Sequence, residues 1–580
     1  MLVRMDRRRA VGWVVGLLVV DVLLAVGVFA RAWAHPSSVT AGARQDAPYT
    51  IWAMAWVARA VVHGRSPWLT TALSWPSGVN LLTNATATGL GLALLPVTLV
   101  AGPLVAYNVA ATAALALTAW STQVVIRRSG LASWPAAAAA GLVGGFGASS
   151  LVQTVGDHLH ISAAFLLPPM ALGVGRVMSG TARKPVRWGA ALGILAAAQL
   201  LIGEEVLAIA VVALAVGAAA AVAALGVRWV PWKDAGVAAV AAWIAFSLLA
   251  VGPLVIQFTG RGHINGPIQV GDHYANDLTG FVVPVKQLWL RTAAADRITG
   301  HYSSEGGTYL GIPLLIVAAI AVVRRWSVAA VRVLGLSLAT IAVLSLGARL
   351  TIDGHRTSIP MPWAALGHVP LLSSLLPVRF GIVLDLLAAA LLAVALDAAA
   401  AWGRGRAPAA WWRAPVAGAL AGLVALACLL PLVPRLPGRT TVWAVPAAFR
   451  HPGATGIADG ALVVVSPYPS ERDPQIEVWL AAAGARWSSA GGTYFVPDEA
   501  GKVTIGGPAR PADVIDAAIE AGRPAASFPG VGPAILASLR QEGVSAVLVG
   551  PGPGEGQVLA WWRSVLGSGR AVGGIEVWQV

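Results

Sequence analysis

The chain has 580 residues, of which 57% are hydrophobic and only 11% charged. That is too apolar for a surface made mostly of water-facing groups, which excludes a soluble globular protein. The formal charge of +14 is spread as small basic clusters between apolar spans rather than along one face, which excludes a nucleic-acid-binding surface.

A membrane-crossing helix needs roughly 20 apolar residues to span about 30 Å of hydrocarbon, and such stretches recur between 11 and 434. Arg4, Arg7, Arg8 and Arg9 precede the first, 11–33, and place its start in the cytoplasm. Ala32-Trp33-Ala34 resembles a cleavage site, but the apolar run exceeds a signal h-region and reads as an uncleaved first helix. Asp21, midway along it, is costly in lipid and is expected to face the bundle interior.

The first outer loop begins Arg44-Gln45-Asp46-Ala47-Pro48-Tyr49, continues as an amphipathic stretch over 50–63, and ends in Gly64 to Trp68 and Trp75-Pro76-Ser77-Gly78. Trp52, Trp56, Trp68 and Trp75 suit an interfacial helix and its turns. Asp46, just before such a helix, is positioned as a general base toward a hydroxyl.

The apolar stretch from 87 to 126 is interrupted at Gly102-Pro103. Two crossings there would strand Arg127 and Arg128 outside, so 87–101 reads as a helix lying in the outer interface and 104–126 as the second span. Further spans at 134–152, 161–178, 189–203, 205–226, 236–256, 308–323, 328–346, 380–401 and 414–434 bring the total to about 11 transmembrane helices. Arg183, Lys184 and Arg187, then Arg228 and Lys233, Arg324 and Arg325, and Arg404, Arg406 and Arg413 all fall on the cytoplasmic side. The single cysteine, Cys428, sits inside the last span, so there is no intrachain disulfide framework.

This topology is assigned from basic residues alone, yet it puts the suggestive acidic residues on the outer side. They are Asp46, Asp157, Glu204, Glu205, Asp272, Asp277, Asp296 and Glu305. A single loop carboxylate reads first as a solubility residue. Glu204 and Glu205 interrupt an apolar run and are expensive there unless they line a polar cavity. The turn Asp157-His158-Leu159-His160 has three readings: a metal site, a phosphate or substrate contact, or a polar turn. Arg379, at the outer end of the tenth span, either anchors its helix by snorkelling or grips a phosphate with its planar fork.

Past 434 the texture changes. Strand-like runs at 461–466 and 545–550 alternate with helical patterns at 476–483, 511–521 and 557–566, which predicts a small C-terminal α/β or α+β domain of about 140 residues. An odd number of spans puts it outside the cytoplasm. The expected organisation is a membrane domain over 1–434 and an extracytoplasmic domain over 435–580. Gly550-Pro551-Gly552-Pro553-Gly554 is proline-interrupted and reads as a turn rather than a nucleotide-phosphate loop.

The order of these features resembles the GT-C superfamily of membrane glycosyltransferases, in particular large actinobacterial members of unassigned acceptor. The residues carrying the resemblance are Asp46-Ala47-Pro48, Ile51-Trp52, Ala55-Trp56, His63-Gly64, Pro67-Trp68, Trp75 to Leu81, Gly102-Pro103 with Tyr107-Asn108, Gly156 to His160, Tyr274 to Asp277 before Pro284, Glu305 to Gly311, and Leu376 to Phe380. The resemblance implies a multi-pass enzyme of the plasma (inner) membrane that moves a sugar from a polyprenyl-phosphate donor to a hydroxyl of a cell-envelope glycan, lipid or protein, with inversion. An acidic residue of the first outer loop is the superfamily's expected base, which carries over onto Asp46; where many members have two such carboxylates, this loop has Gln45-Asp46. His158, His160, Glu204, Glu205, Asp277, Glu305 and Arg379 are the expected substrate-binding residues, and a divalent metal is left open as a cofactor. The rival readings are a transporter or lipid flippase, which calls for ionisable groups near the midplane and paired broken helices, and a noncatalytic envelope scaffold.

Overall fold

The computed structural model of the chain describes residues 7–268, 274–294, 298, 305–369, 372–402, 413–471, 473–507 and 509–580. Arg4, Asp272, Asp296, Arg404 and Arg406, named above, lie outside the described residues. In chain order the main helices of the first 430 residues are α1 (Arg7–Val28), α2 (Ala47–Val62), α3 (Thr88–Ala93), α4 (Leu95–Ala101), α5 (Pro103–Arg128), α6 (Trp134–Phe146), α7 (Ala148–Val155) and α8 (Leu159–Ser162). They continue as α9 (Leu167–Met178), α10 (Pro185–Ile202), α11 (Glu204–Leu225), α12 (Trp232–Thr259), α13 (Ile312–Arg324), α14 (Ala329–Ser345), α15 (Gly381–Trp402) and α16 (Arg413–Leu429).

Among the described residues, 9 helical stretches are long and apolar enough to cross a bilayer, and α13 and α14 are shorter apolar helices. The chain is a polytopic α-helical membrane protein. Side chains such as Trp243, Leu248 and Val323, 70%, 80% and 74% exposed, are stable only against lipid. The interrupted stretch before α5 forms two helices of 6 and 7 residues, and at 1.5 Å per residue neither crosses about 30 Å of hydrocarbon.

The chain divides into two compact units whose segments interleave: Met1–Arg31, Ala110–Val251 and Gln269–Arg439 in one, and Ala32–Val109, Gly252–Ile268 and Thr440–Val580 in the other. In the first, Asp21 is fully buried and its Oδ1 accepts from Gln123 Nε2 at 3.2 Å, as its place in an apolar helix requires. Gly145 of α6 lies where a Cβ would strike Ala119 and the Leu115 carbonyl of α5, so the absence of a side chain lets the two backbones approach. Arg176 Nη2 donates to Arg128 O at 2.7 Å and Arg332 Nη2 to Ala224 O at 2.5 Å, drawing the basic end of α9 to that of α5 and the start of α14 to the end of α11. α15 packs against α6, α13, α14 and α16, which encloses most of its first four turns.

The second unit is built on a five-stranded mixed sheet of β1 (Leu462–Ser466), β2 (Ser488–Ser489), β3 (Val544–Val549), β4 (Arg570–Val572) and β5 (Ile575–Gln579), in the order β4-β5-β3-β1-β2. β1 is parallel to β2 and β3, and β5 is antiparallel to β3 and β4. Helices α17 (Gln475–Ala482), α18 (Pro511–Glu520), α19 (Gly532–Glu542) and α20 (Glu555–Leu566) complete it, with Val464, Val547, Leu539 and Trp562 in the apolar core. The expected strands and three of these helices lie within two residues of their predicted bounds, and α19 lies where the sequence pattern predicts no helix.

This unit is not the C-terminal stretch alone. Val39–Ala41 pairs antiparallel with Thr440–Val442, and α2 packs against α17, so the loop of residues 32–109 folds with it. As a result the indoles of Trp52 and Trp56 are buried inside protein, stacked with their ring centres 6.0 Å apart, rather than turned to lipid headgroups.

Candidate active site

The first unit gathers a buried polar cluster at the ends of its helices, and the local chain path explains how. The third membrane span breaks at Gly147, where a Cβ would collide with the Asp385 carboxyl and the Val143 carbonyl. The break frees the first amides of α7 at membrane depth, where an unpaired N–H is costly. Asp385 of α15, itself fully buried, meets them, its Oδ2 accepting from Ser149 N at 3.1 Å. α7 then ends in a turn with Asp157 at φ +72°, a left-handed conformation that Asp tolerates better than most residues. That turn reverses the chain so that both His158 and His160 are buried.

Four of the predicted residues meet there. Arg379, on a short 3-10 turn over Pro377–Phe380 ahead of α15, donates from Nε and Nη2 to the two oxygens of Glu305 and from Nη1 to Glu205 Oε2. The Nε to Oε2 distance is 3.2 Å. Glu205, in the first turn of α11, also accepts from Leu376 N at 3.1 Å, tying the helix start to the arginine's own turn. His158 Nε2 stands 3.5 Å from Glu305 Oε1. Gln153 completes the frame: its Nε2 donates to Glu305 Oε2 at 3.1 Å and its Oε1 accepts from His158 Nδ1 at 2.9 Å. A carbonyl oxygen only accepts, so this network assigns the hydrogen to Nδ1.

Burial pushes the Glu305 carboxyl up, but the charges of Arg379 and His158 and the hydrogen bonds from Arg379 and Gln153 outweigh it and hold the group at about 2. One guanidinium therefore faces two carboxylates, and the cluster is an internally paired frame rather than an open anion hole. His160 stands beside this network rather than in it. Its ring centre lies 6.1 Å from that of His158, and its Nδ1 is buried with no hydrogen-bond partner among the described residues.

Two predicted residues lie apart from these bonds. Glu204 is exposed at the first residue of α11. The Asp277 carboxylate accepts from the amides of Thr279 at 2.8 Å, Asp353 at 3.1 Å and Gly354 at 2.7 Å, closing the turn between the strands Arg349–Ile352 and His355–Pro360. Gln153 and Asp385 were not singled out in the sequence, although a carboxylate inside an apolar run is itself a signal. Among the described residues no three His, Cys, Asp or Glu side chains converge as a metal site, and Nδ1 of His158 is already taken by Gln153.

Asp46 belongs to the other unit. It is the residue preceding α2, half-buried, and its carboxylate does not cap its own helix; Oδ2 accepts from Tyr49 OH at 3.3 Å.

No protein-family model matches the chain, and no curated protein matches it in sequence. Among solved structures, the mycobacterial arabinofuranosyltransferase AftD aligns with 99% of the chain at 17% identity with a TM-score of 0.51, and a mutant form of AftD aligns with 94% at 19% identity with the same score. ArnT from Cupriavidus metallidurans aligns over 98% of both chains at 12% identity with a TM-score of 0.46. The AftD likeness shows the fold alone: this chain has the GT-C fold. It spans 40% of AftD's length.

Proposed function

We propose that the chain is a membrane glycosyltransferase that moves a sugar from a polyprenyl-phosphate donor to a hydroxyl of a cell-envelope acceptor, with Asp46 as general base. The observation that carries this reading is a half-buried carboxylate at the start of α2 in a chain whose fold over 99% of its length is that of an arabinofuranosyltransferase. The acceptor oxygen attacks the anomeric carbon and its proton passes to Asp46. The bond from that carbon to the phosphate oxygen breaks, and both electrons leave with polyprenyl phosphate, inverting the centre. Phosphate is a good leaving group, so most of the work is orientation and stabilisation of developing negative charge. Within the first unit, the groups able to donate to a negative charge are His160 and the Arg379 hydrogens not engaged by Glu205 and Glu305. Glu204 and Asp277 are assigned no chemical step.

In this reading the N-terminus is cytoplasmic and residues 440–580 lie outside. Support comes from the joined basic ends of α5 and α9, since clustered Lys and Arg favour the cytoplasmic edge. The test of function is turnover by purified protein in lipid nanodiscs with a panel of polyprenyl-phosphoryl pentoses and hexoses. The wild type transfers sugar and Asp46→Asn falls by at least about a hundredfold, the scale of a lost general base. Full turnover by Asp46→Asn removes Asp46 as base, and no transfer from any donor by the wild type removes the glycosyltransferase reading.

A further inference from the structure

A general base on a loop must be held within a fraction of an ångström of its working position, because misplacement by about 1 Å costs about a hundredfold in rate. The second unit contains a chain of contacts that does this for Asp46. Tyr49, one turn into α2, donates its OH to Asp46 Oδ2 at 3.3 Å. Its ring is met edge-on by Tyr494, with centres 5.7 Å apart and planes at 63°. Tyr494 OH in turn donates to the Tyr49 backbone carbonyl at 2.7 Å, and its ring stands edge-on to Trp52 as well, 5.7 Å away. One residue of the C-terminal stretch thus grips both the ring and the main chain of the residue that holds the carboxylate.

Tyr494 is itself pinned on both sides. Before it, Thr493 N donates to Glu477 Oε1 at 2.6 Å, and Thr493 Oγ1 bonds the same carboxyl at 3.0 Å and 2.9 Å. After it, Phe495 N donates to Asn84 Oδ1 at 2.7 Å while Asn84 Nδ2 donates to Phe495 O at 3.0 Å. Tyr494 is 1% exposed, and burial together with the nearby Glu477 pushes its phenol well above the ordinary tyrosine range, so it stays a donor. On the other side of Asp46, Arg44 Nη2 donates to Gln475 Oε1 at 2.8 Å and its guanidinium lies over Trp443. The catalytic loop is bracketed by the C-terminal stretch before and after the base.

We propose that the C-terminal stretch supplies positioning residues for the transfer reaction: Tyr494 holds Tyr49, and Tyr49 holds Asp46. This rests on the reading of Asp46 as base. It gives residues 440–580 a role in assembling the base rather than in contacting substrate.

The test uses the full chain in nanodiscs, with Tyr494→Phe, Tyr49→Phe, Tyr494→Leu and Asp46→Asn, and a polyprenyl-phosphoryl pentose as donor. Tyr494→Phe keeps the ring and removes the hydroxyl; its kcat falls about tenfold while KM for the donor stays within about twofold, since a displaced base slows the step without altering donor binding. Tyr49→Phe falls similarly, and the double variant falls no further than the worse single, because both act through one chain. A residue that only stabilised the fold would lower the unfolding temperature and leave kcat per folded molecule intact. Independently of turnover, Tyr494→Leu accelerates amide exchange across residues 47–53. Wild-type kcat in both phenylalanine variants, or unchanged exchange in Tyr494→Leu, overturns the proposal. Asp46→Asn at wild-type turnover overturns the base and this proposal with it, whereas an inactive Asp46→Asn beside a fully active Tyr494→Phe overturns the positioning role alone.

Discussion

Arg379 presents Nε and Nη2 side-on to the two carboxylate oxygens of Glu305, forming a buried fork that joins the turn before α15 to the loop ahead of α13. Its geometry ranks substitutions. Arg379→Ala leaves Glu205 and Glu305 without their shared cation and is expected to cost about 3–5 kcal/mol, the range for breaking a buried pair. Arg379→Lys keeps the charge and loses the planar fork, so it falls between the wild type and alanine. Thermal unfolding in one detergent checks the order; an alanine variant as stable as the wild type excludes the fork as a structural tie.

Asp385 meets the amides at the start of α7 from a different helix, and no other carboxylate bonds Ser149 N among the described residues. Asp385→Ala leaves a buried donor unpaired and is expected to cost about 1–3 kcal/mol, while Asp385→Asn keeps an acceptor oxygen and costs less. Because α7 carries Gln153, the alanine variant also loosens the His158 turn. The check is protection of the 149–158 amides in hydrogen exchange, which drops in Asp385→Ala and stays near wild type in Asp385→Asn.

Glu477 is fully buried on α17, and burial raises its carboxyl to about 7 against the hydrogen bonds from Thr493. The folded form holds the proton more tightly than the unfolded chain, whose value is 4.5. Its contribution to stability is therefore present below pH 4.5 and is lost as pH rises toward 7, a fall of about 3 kcal/mol. Glu305 has the opposite sign: its stabilisation is present above pH 4.5 and is lost as pH falls through about 2. Glu477→Gln flattens the loss between about pH 4 and 7 by that amount, read as the change in unfolding midpoint with pH; an unchanged slope assigns it to other groups such as Glu520, which is also raised to about 7.

Much of the site was visible in the residue types. Glu205 stands out because a carboxylate in an apolar run is expensive, and His158, Glu305 and Arg379 because they are polar groups that the basic-residue topology gathers on one side. The partners that hold them were harder to see. Gln153 carries no charge to mark it, and Asp385 offers no sign of which helix it serves, since its acceptor role depends on a break at Gly147 in another span. Asp277 looked like its neighbours in the sequence and instead closes a turn through backbone amides, a use that local residue type does not reveal.

Residue types along the chain carry the membrane class, the basic-end pattern and the positions of the spans, because hydrocarbon thickness and the cost of buried charge act residue by residue. They also carry the strands and most helices of the last 140 residues or so, through local periodicity. Which segments fold together is a matter of long-range packing. The loop of residues 32–109 joins residues 440–580 because strand pairing and helix packing between segments some 400 residues apart leave no mark on either segment alone. Asp46 was legible as a carboxylate before a helix; that Tyr494 reaches back to hold its neighbour was not.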